Sequence, residues 1–523
     1  MVAAAARWWC GASLYQVYLR SFCDGYGDGQ GDLAGLIGKL DYIAALGVDG
    51  IWLSPIHPSP NRDWGYDVSD YDNVHPDYGT LDDFARLIDA AHGKGLKIVL
   101  DEVLAHTSDE HAWFAASRDG VPAKRDWYVW ADPKDDGTVP NNWLSVFGGP
   151  AWSYQPARRQ YYHHKFLRQQ PKLSWRNAQA REAALSVLDL WLSRGVDGFR
   201  LDVANAYLHD AGLTDNPAIP PAQRTVVEWS AAANMQRHLY DSNLADNCSV
   251  LAEIRQRVDR FKDRFVFGEF SEEFERSGCY LSAEEGLHAG YNFALLLATD
   301  AAAIRAHLET LARYPDHWPC IAFSNHDVIR AATRFGPGSA KTLLALLFAM
   351  RGTILLYQGE ELGLTEVELP RHQLKDPVGD LYYPLFKGRD GCRTPMPWDA
   401  AKPNLGFSTG APWLPLGGAH AALSVSAEEG DPHSPLHFTR KLARFRRDEP
   451  ALRTGTLTLL DAPLPLIAFQ RGDDLVCVFN VGAKAVEWKL PAAATPLDIG
   501  TGTAQIKNGV LRLGAFAAWF GRV

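Results

Sequence analysis

Three carboxylates stand at the ends of three short apolar or β-branched runs of strand length: Asp202 in GFRLDVAN, Glu269 in FGEF and Asp327 in FSNHD. A fourth run ends in DEVLAH, which carries Asp101 and His106. A nucleophile, an acid/base and a stabiliser of a sugar cation are the groups that cleave a glycosidic bond with retention. Each segment alone is a weak signal, but the four together predict one active site of that kind.

Arg200 stands two residues before Asp202. Alternate residues of a strand face the same side, so both side chains point to one face while Phe199 and Leu201 point to the other. An arginine beside a carboxylate keeps the carboxylate ionised and oriented, as a nucleophile requires. A structural ion pair is the alternative for these two residues taken alone.

Glu269 follows Gly268 at the end of an aromatic and β-branched run. A strand-end glutamate among apolar groups has a raised pKa, so it can stay protonated and give its proton to a leaving oxygen. Glu272 and Glu273 are rival carboxylates, but they lie beyond the strand end in a polar segment.

Strand-like runs alternate with amphipathic helical stretches over the first two-thirds of the chain. This alternation predicts an α/β fold, a (β/α)8 TIM barrel. An open doubly wound sheet is the alternative, and carboxylates at the ends of several different strands favour the barrel, whose sites are built there. The predicted strands are 14–18, 51–54, 97–100, 198–201, 265–267, 291–295, 320–323 and 353–357.

Two irregular intervals divide the barrel sequence. Residues 105–170 have no long periodic helix, and a connection of this length is usually functional or a small domain of its own. A second such interval covers about 366–430. Short strand-like runs separated by Gly, Asp and Pro predict an all-β domain over 451–523. The barrel then takes residues 1–104 and 171–450.

Bulk properties exclude several classes of function. Net charge is −10, and no block rich in Lys and Arg offers a nucleic-acid footprint. The apolar run 343–350 is long enough only for a buried helix, and residues 1–9 hold no apolar core of signal-peptide length. Seven scattered cysteines without a CxxC favour reduced thiols. These features predict a soluble, cytoplasmic protein with no nucleic-acid or membrane partner.

The order and wording of the four segments resemble glycoside hydrolase family 13, the α-amylase family, and most closely its α-glucosidase and oligo-1,6-glucosidase branch. The resemblance runs from Leu14 to the C-terminal strands. It implies that Asp202 is the nucleophile, Glu269 the acid/base and Asp327 the stabiliser of the transition state.

The same resemblance assigns the surroundings of these acids. His326 and His106 are implied to bind sugar hydroxyls from two sides. The interval 105–170 takes the place of the family's domain B, inserted after the third strand, where it walls the pocket. The interval 366–430 takes the place of a pocket-rim insertion.

Two further segments, DWGYD and RDGCRTPMPW, resemble motifs of the glucosidase branch. In that branch the first Asp and the Arg before Thr, here Asp63 and Arg393, pair at the closed end of the pocket. Tyr66 supplies a stacking face, and Phe166 aligns with an aromatic residue of the pocket wall. A closed end implies cleavage at the non-reducing end. A surface ion pair is the alternative for Asp63 and Arg393.

Two places in the sequence bear on metal binding. Many family members hold calcium between barrel and domain B through an Asn and an Asp, which here are Ala105 and Lys172, so no calcium is expected there. The loop DGYGDGQGD resembles a calcium or magnesium loop of the glucosidase branch, although Tyr26 replaces an Asn ligand. The alternative is a Gly-rich turn whose aspartates cap the next helix. The expected ligands are Asp24, Asp28, Asp32 and the carbonyl of Gln30.

The resemblance implies a retaining, exo-acting α-glucosidase on small α-glucosides such as maltose, isomaltose or sucrose, with no organic cofactor. Sucrose isomerase and trehalose synthase are the alternatives within enzymes. A non-catalytic transporter subunit would carry a membrane span and lack the acids. Val203, next to the nucleophile, tends in this branch to accompany α-1,6 cleavage, so both α-1,4 and α-1,6 linkages are expected to be cleaved. The protein is expected to be a monomer or homodimer.

Overall fold

A computed structural model describes residues 7–224, 232–271, 274–281 and 286–523. The strands within these ranges are β1 Ser13–Val17, β2 Gly50–Leu53, β3 Lys97–Glu102, β4 Trp130–Ala131, β5 Trp152–Gln155, β6 Gln160–His163, β7 Gly198–Leu201, β8 Phe265–Phe270, β9 Ala289–Asn292, β10 Cys320–Ile321, β11 Thr353–Tyr357, β12 Leu457–Leu459, β13 Leu466–Arg471, β14 Leu475–Asn480, β15 Val486–Lys489, β16 Thr495–Pro496, β17 Ala504–Lys507, β18 Val510–Leu513 and β19 Ala517–Arg522.

The α-helices of the same ranges vary from four to sixteen residues. They are α1 Leu33–Ile37, α2 Leu40–Leu46, α3 Leu81–Gly93, α4 Ala112–Arg118, α5 Ala178–Ser193, α6 Asn247–Val258, α7 Ala301–Ala312, α8 Ala331–Arg334, α9 Ala340–Ala349, α10 Pro377–Tyr382, α11 Val425–Glu429, α12 Pro435–Asp448 and α13 Pro450–Arg453. None of these helices is long and apolar enough to cross a membrane.

Eight parallel strands form the barrel, in the order β10-β11-β1-β2-β3-β7-β8-β9. A parallel bridge between Gly290 and Pro319 joins β9 to the approach of β10 and closes the ring. Every predicted strand overlaps an observed one, and the (β/α)8 prediction is confirmed. β7 and β11 have the predicted ends, whereas β10 stops at Ile321, two residues short of the prediction. The carboxyl ends of these strands carry the predicted acids.

Helices with capped ends cover the barrel. Thr80 and Asp83 form a reciprocal capping box at the start of α3, and Asn177 accepts two backbone N–H groups at the start of α5. Each cap satisfies N–H groups that have no partner inside the helix. Phe84 of α3 and Trp191 of α5 pack edge to face at 5.0 Å, which ties the two helices together over the sheet.

A small antiparallel sheet, β4-β6-β5, lies within the interval between β3 and α5. Its core holds Val129, Trp143, Ala151 and Trp152. Bridges of His106 with Lys172 and of Tyr128 with Leu173 join it to the end of β3. The small domain is therefore anchored beside the predicted site.

The C-terminal strands form two antiparallel sheets, β12-β13-β14-β19-β16 and β15-β18-β17. The run 510–520 divides into β18 and β19, because the backbone turns at Phe516, whose φ is 45°. The buried Arg471 donates to the carbonyl of Leu452 at 2.9 Å and also to that of Ala349 in α9. The bond to Ala349 fastens the β-domain to the barrel.

Two of the seven cysteines are paired. Cys248 in α6 and Cys279 in the helical turn Phe274–Leu281 form a disulfide, with Cα atoms 5.9 Å apart. The prediction of reduced thiols is wrong for this pair, because a separation of 31 residues gave no sign that α6 and the turn after β8 pack together. The other five cysteines are free and buried.

Candidate active site

Arg200 is the centre of the candidate site. Its Nη1 donates to Asp101 at 2.7 Å and to Asp202 at 2.8 Å. Its Nη2 lies against Oε1 of Glu269 and donates to the Tyr291 hydroxyl at 3.2 Å. The ends of β3, β7, β8 and β9 thus meet at one fully buried guanidinium. Since both arms of one guanidinium are used, Asp202 and Glu269 lie side by side.

The protonation of this group follows from burial and from the shared arginine. Burial raises the pKa of Glu269 to about 7, and the Arg200 charge opposes that rise. Burial also raises the pKa of Asp202, again against Arg200. Arg200 and the Tyr291 hydroxyl both contact Oε1 of Glu269, so Oε2 is the oxygen that can carry a proton. The arrangement suits one ionised carboxylate next to one protonated carboxylic acid.

Asp327 follows β10 and faces two guanidiniums. Its Oδ1 accepts from Arg393 at 2.8 Å and from Arg389 at 3.3 Å. Burial works to raise the pKa of Asp327, but the charges of Arg389 and Arg393 outweigh it and hold the pKa well below its usual range. The third carboxylate is therefore kept ionised, as stabilisation of a cationic sugar requires.

His326 is a fully buried, neutral side chain. Its Nδ1 lies 2.8 Å from Gln16 Nε2 and its Nε2 lies 2.6 Å from the Tyr66 hydroxyl. Burial lowers the pKa of His326 to about 3. Tyr66 also donates to Asp101 at 3.0 Å, and its ring stacks on His326 at 5.3 Å. His326 therefore fixes the ring of Tyr66, which lines the pocket.

Asp63 pairs with Arg389 rather than with Arg393. The Nη2 of Arg389 lies 2.7 Å from Oδ1 of Asp63, whereas Arg393 donates to Asp327 and to the carbonyl of His326 at 2.7 Å. The predicted Asp63–Arg393 pair is wrong, because the helical turn Asp390–Cys392 separates the two arginines and turns only the first one towards Asp63. Arg393 instead donates a hydrogen bond to Asp327 from a position that does not line the pocket.

His106, Phe166 and Gln170 form the wall on the domain B side. His106 Nε2 lies 2.8 Å from the carbonyl of Tyr66, and the ring centroids of His106 and Phe166 are 5.5 Å apart. Burial lowers the pKa of His106 to about 4, so this ring is neutral. Gln170 donates to Oδ2 of Asp63 at 3.0 Å. Arg389 and Gln170 therefore hydrogen-bond different carboxylate oxygens of Asp63.

These residues surround a pocket of about 220 Å³. Seven of the predicted residues line it, while Arg200, His326 and Arg393 lie behind the wall and hold the lining residues. Arg389 and Gln170 also line the pocket and were not predicted as site residues, although both stand in segments that resemble family motifs. Five further lining residues carry no sequence motif: Val146, Phe147, Lys165, Ser271 and Phe293. Glu272 and Glu273, the rejected rivals of Glu269, lie outside the described residues.

Val203 follows Asp202 in a left-handed backbone conformation, with φ 38° and ψ 50°. A β-branched residue rarely adopts a positive φ, and such strain persists only where the surroundings hold it. Val203 is buried and lines the pocket. Val203 and Asp202, neighbours in sequence, thus both line the pocket.

The loop that was expected to bind a cation uses its carboxylates differently. Asp24 accepts three backbone N–H groups of its own loop at 2.6–2.9 Å. Asp32 accepts the N–H groups of Gly25 and Gly35, both at 2.7 Å, and caps α1. Among the described residues no three His, Cys, Asp or Glu side chains gather as a metal would require. The carboxylates of Asp24 and Asp32 thus already accept backbone N–H groups, and the cation site at Asp24, Asp28, Gln30 and Asp32 stays a prediction.

Lys172 is buried at the junction between domain B and the barrel. Its Nζ donates to the carbonyl of Ala206, in the turn after Asp202, and its backbone N–H donates to the carbonyl of His163 at 2.9 Å. Burial lowers the pKa of Lys172 to about 7, and the charge of Lys165 lowers it further.

Comparison with known proteins agrees with this geometry. Residues 16–455 match the model of the alpha amylase catalytic domain. A probable alpha-glucosidase of Rhizobium meliloti is 45% identical over 99% of this chain and 97% of its own length. An oligo-1,6-glucosidase of Parageobacillus thermoglucosidasius is 33% identical over 92% of each chain.

Two solved structures have the same fold over nearly their whole length. An α-glucosyl transfer enzyme, XgtA, has a TM-score of 0.96 and 46% identity, with 99% of both chains covered. The trehalulose synthase MutB of Pseudomonas mesoacidophila MX-45 has a TM-score of 0.90 and 32% identity, with 99% of this chain and 100% of that chain covered.

A barrel whose strand ends bring Asp202, Glu269 and Asp327 to one pocket is the arrangement of a glycoside hydrolase site. The chain belongs to the α-amylase family, glycoside hydrolase family 13. Within it, the protein falls in the α-glucosidase and oligo-1,6-glucosidase branch.

Proposed function

We propose that the protein is a retaining, exo-acting α-glucosidase that forms a covalent glucosyl intermediate on Asp202. One observation carries the proposal: Arg200 contacts Asp202 through Nη1 and Glu269 through Nη2, so nucleophile and acid are held on two arms of one group. Carboxyl groups of a retaining enzyme lie about 5–5.5 Å apart, whereas an inverting enzyme needs room for a water between them.

The reaction runs in two displacements. Asp202 attacks the anomeric carbon while Glu269 gives its proton to the leaving oxygen, which breaks the glycosidic bond. Glu269, now ionised, takes a proton from water or from an acceptor alcohol, whose oxygen displaces Asp202. Asp327, kept ionised by Arg389 and Arg393, stabilises the positive charge that develops on the sugar in both steps.

The closed end of the pocket gives the exo action. Asp63 and Arg389 are bonded at 2.7 Å, and Gln170 holds the second oxygen of Asp63. In this proposal these groups hydrogen-bond the terminal glucosyl residue, so the rest of the substrate extends away from them. The substrate class is therefore small α-glucosides with a free non-reducing end.

Linkage and product need a direct assay. The relative named probable alpha-glucosidase supports hydrolysis of α-glucosides, and the relative named oligo-1,6-glucosidase supports activity on 1,6 linkages. The α-glucosyl transfer enzyme supports transfer beside hydrolysis, and the trehalulose synthase keeps sucrose isomerisation as the second candidate. Incubation with maltose, isomaltose, sucrose and trehalose, followed by chromatography of the products, is expected to release glucose from maltose and isomaltose. Conversion of sucrose to an isomer without hydrolysis of the other sugars would contradict the main proposal.

We also propose a cytoplasmic location and a monomeric or homodimeric state. Five free thiols support the location, and the Cys248–Cys279 disulfide argues against it. Cell fractionation tests the first statement, and light scattering of the purified protein tests the second.

A further inference from the structure

Two segments of the pocket rim are bound to each other through a pair of aspartates. Oδ2 of Asp390 accepts the N–H groups of Lys375 and Asp376, at 2.6 and 2.8 Å. Oδ2 of Asp376 in turn accepts the N–H of Arg389 at 2.7 Å. We call this reciprocal arrangement of Asp376 and Asp390 the rim clasp. Both carboxylates are fully buried.

Asp376 holds the side chain of Arg389 as well as its backbone. Its Oδ2 accepts from Nε at 2.9 Å and its Oδ1 from Nη2 at 2.8 Å, a bidentate contact. The charge of Arg389 more than offsets burial and lowers the pKa of Asp376 to about 2. A Cβ on Gly388, whose φ is 75°, would come within 2.6 Å of Oδ2 of Asp376. The backbone is therefore built to lie close against this carboxylate.

The Nη atoms of Arg389 also contact two carboxylates that line the pocket. Nη2 contacts Asp63 at 2.7 Å and Nη1 contacts Asp327 at 3.3 Å. The guanidinium thus lies between one carboxylate behind the wall and two carboxylates that line the pocket. Without Asp376, the bonds that fix the direction of Nε and Nη2 are lost, and a long flexible side chain regains its rotamers.

We propose that Asp376 is a positioning residue. By holding the guanidinium of Arg389 in place, it controls how tightly the pocket binds the terminal glucosyl group. The inference rests on the proposed function, since it assigns Arg389 to the glucose end of the pocket. Asp376 lines no part of the pocket itself. Its effect must therefore pass through Arg389 and vanish when Arg389 is absent.

A double-mutant cycle tests this dependence. Asp376→Asn keeps the size of the side chain but removes the charge, and is expected to lower kcat/KM for maltose about 10- to 100-fold, the range for loss of a charged hydrogen bond. The inhibition constant of glucose should rise in parallel, because it measures the binding of glucose at this end of the pocket without the chemical step. In an Arg389→Met background the same substitution is expected to change kcat/KM less than about threefold.

The control is Asp380→Asn, an exposed carboxylate on α10 that pairs with Arg371 at the surface. Its kcat/KM should equal that of the parent. If Asp376→Asn melts below the assay temperature, Asp376→Glu, which displaces the charge by one methylene, enters the same cycle under the same criterion. An equal loss in both Arg389 backgrounds, or no loss in the parent, overturns the inference. A parent that hydrolyses no α-glucoside contradicts the proposed function instead.

Discussion

At the scale of single residues, the site depends on one arginine that serves three carboxylates. Asp101, Asp202 and Glu269 all contact Arg200 within the barrel mouth. Titration of any one of them changes the field at the other two, so their protons belong to the group as a whole. Burial supplies the raised pKa values, and Arg200 limits the rise. Asp202 contacts Nη1 of Arg200, whereas Glu269 contacts Nη2 and the Tyr291 hydroxyl. These different contacts distinguish the nucleophile from the acid.

The first prediction concerns the pH dependence of Glu269. The reaction needs this group protonated, and its pKa is raised to about 7, so kcat/KM should fall as pH rises above about 7. The fall should approach about tenfold per pH unit. A pH profile with maltose measures it. In Glu269→Gln the residual activity should lose this alkaline limb, and a limb that persists would show that another group supplies it.

The second prediction concerns Val203, strained beside Asp202. A change of one methyl for a hydroxyl in such a pocket is worth about 1–3 kcal/mol, so maltose and isomaltose should both be cleaved, at rates within about a hundredfold. Val203→Thr keeps the β-branch and should change the ratio of the two kcat/KM values. Val146→Thr, on the domain B side of the pocket, is the matched control. An unchanged ratio in Val203→Thr would show that this position does not govern linkage.

At the scale of elements, strand ends were predictable from sequence and side-chain partners were not. Buried apolar runs bounded by polar residues mark β7 and β11 to the residue, because a barrel strand is covered on both faces. The sequence named both Asp63 and the RDGCR segment, yet it could not say which arginine meets Asp63. That choice depends on the turn Asp390–Cys392 and on the rim clasp, which joins residues 13 to 15 apart in sequence.

The third prediction concerns Lys172, which joins domain B to the turn after β7. Its pKa falls from 10.5 to about 7 on folding. Between these values the unfolded chain binds more protons, so this lysine makes the free energy of unfolding rise with pH from about 7 to 10.5. The melting temperature of the parent minus that of Lys172→Met should therefore increase from pH 7 to pH 10.

The control for Lys172 is Lys262→Met, whose lysine side chain is 93% exposed. The difference in melting temperature between the parent and Lys262→Met should not vary with pH. A constant difference for Lys172→Met as well would show that Lys172 titrates as an ordinary lysine in the folded protein.

The fourth prediction concerns the loop between Asp24 and Asp32. The sequence predicts a calcium or magnesium site there. In the structure, the carboxylates of Asp24 and Asp32 accept hydrogen bonds from backbone N–H groups. If a cation binds, chelation should lower the melting temperature and metal analysis should find about one ion per chain. Asp28→Asn should abolish the effect of chelation. An unchanged melting temperature together with no bound metal would show that the loop is a capped turn.

At the scale of the whole molecule, three parts meet at one pocket. The barrel supplies the acids, domain B supplies His106 and Phe166, and the rim supplies Arg389. Parallel strands end at one mouth, which explains why residues more than a hundred positions apart could be grouped from sequence. The disulfide and the partner of Asp63 could not be, because they arise from packing between elements rather than from periodicity within one.

The central claim is retention through Asp202 and Glu269, and the anomer of the first product tests it most directly. Proton NMR of maltose hydrolysis at early times, before mutarotation, should show α-glucose as the first glucose formed from the cleaved non-reducing residue. Asp202→Asn should lose at least about a thousandfold in turnover while its melting curve stays that of the parent. β-Glucose as the first product of that residue would contradict the account.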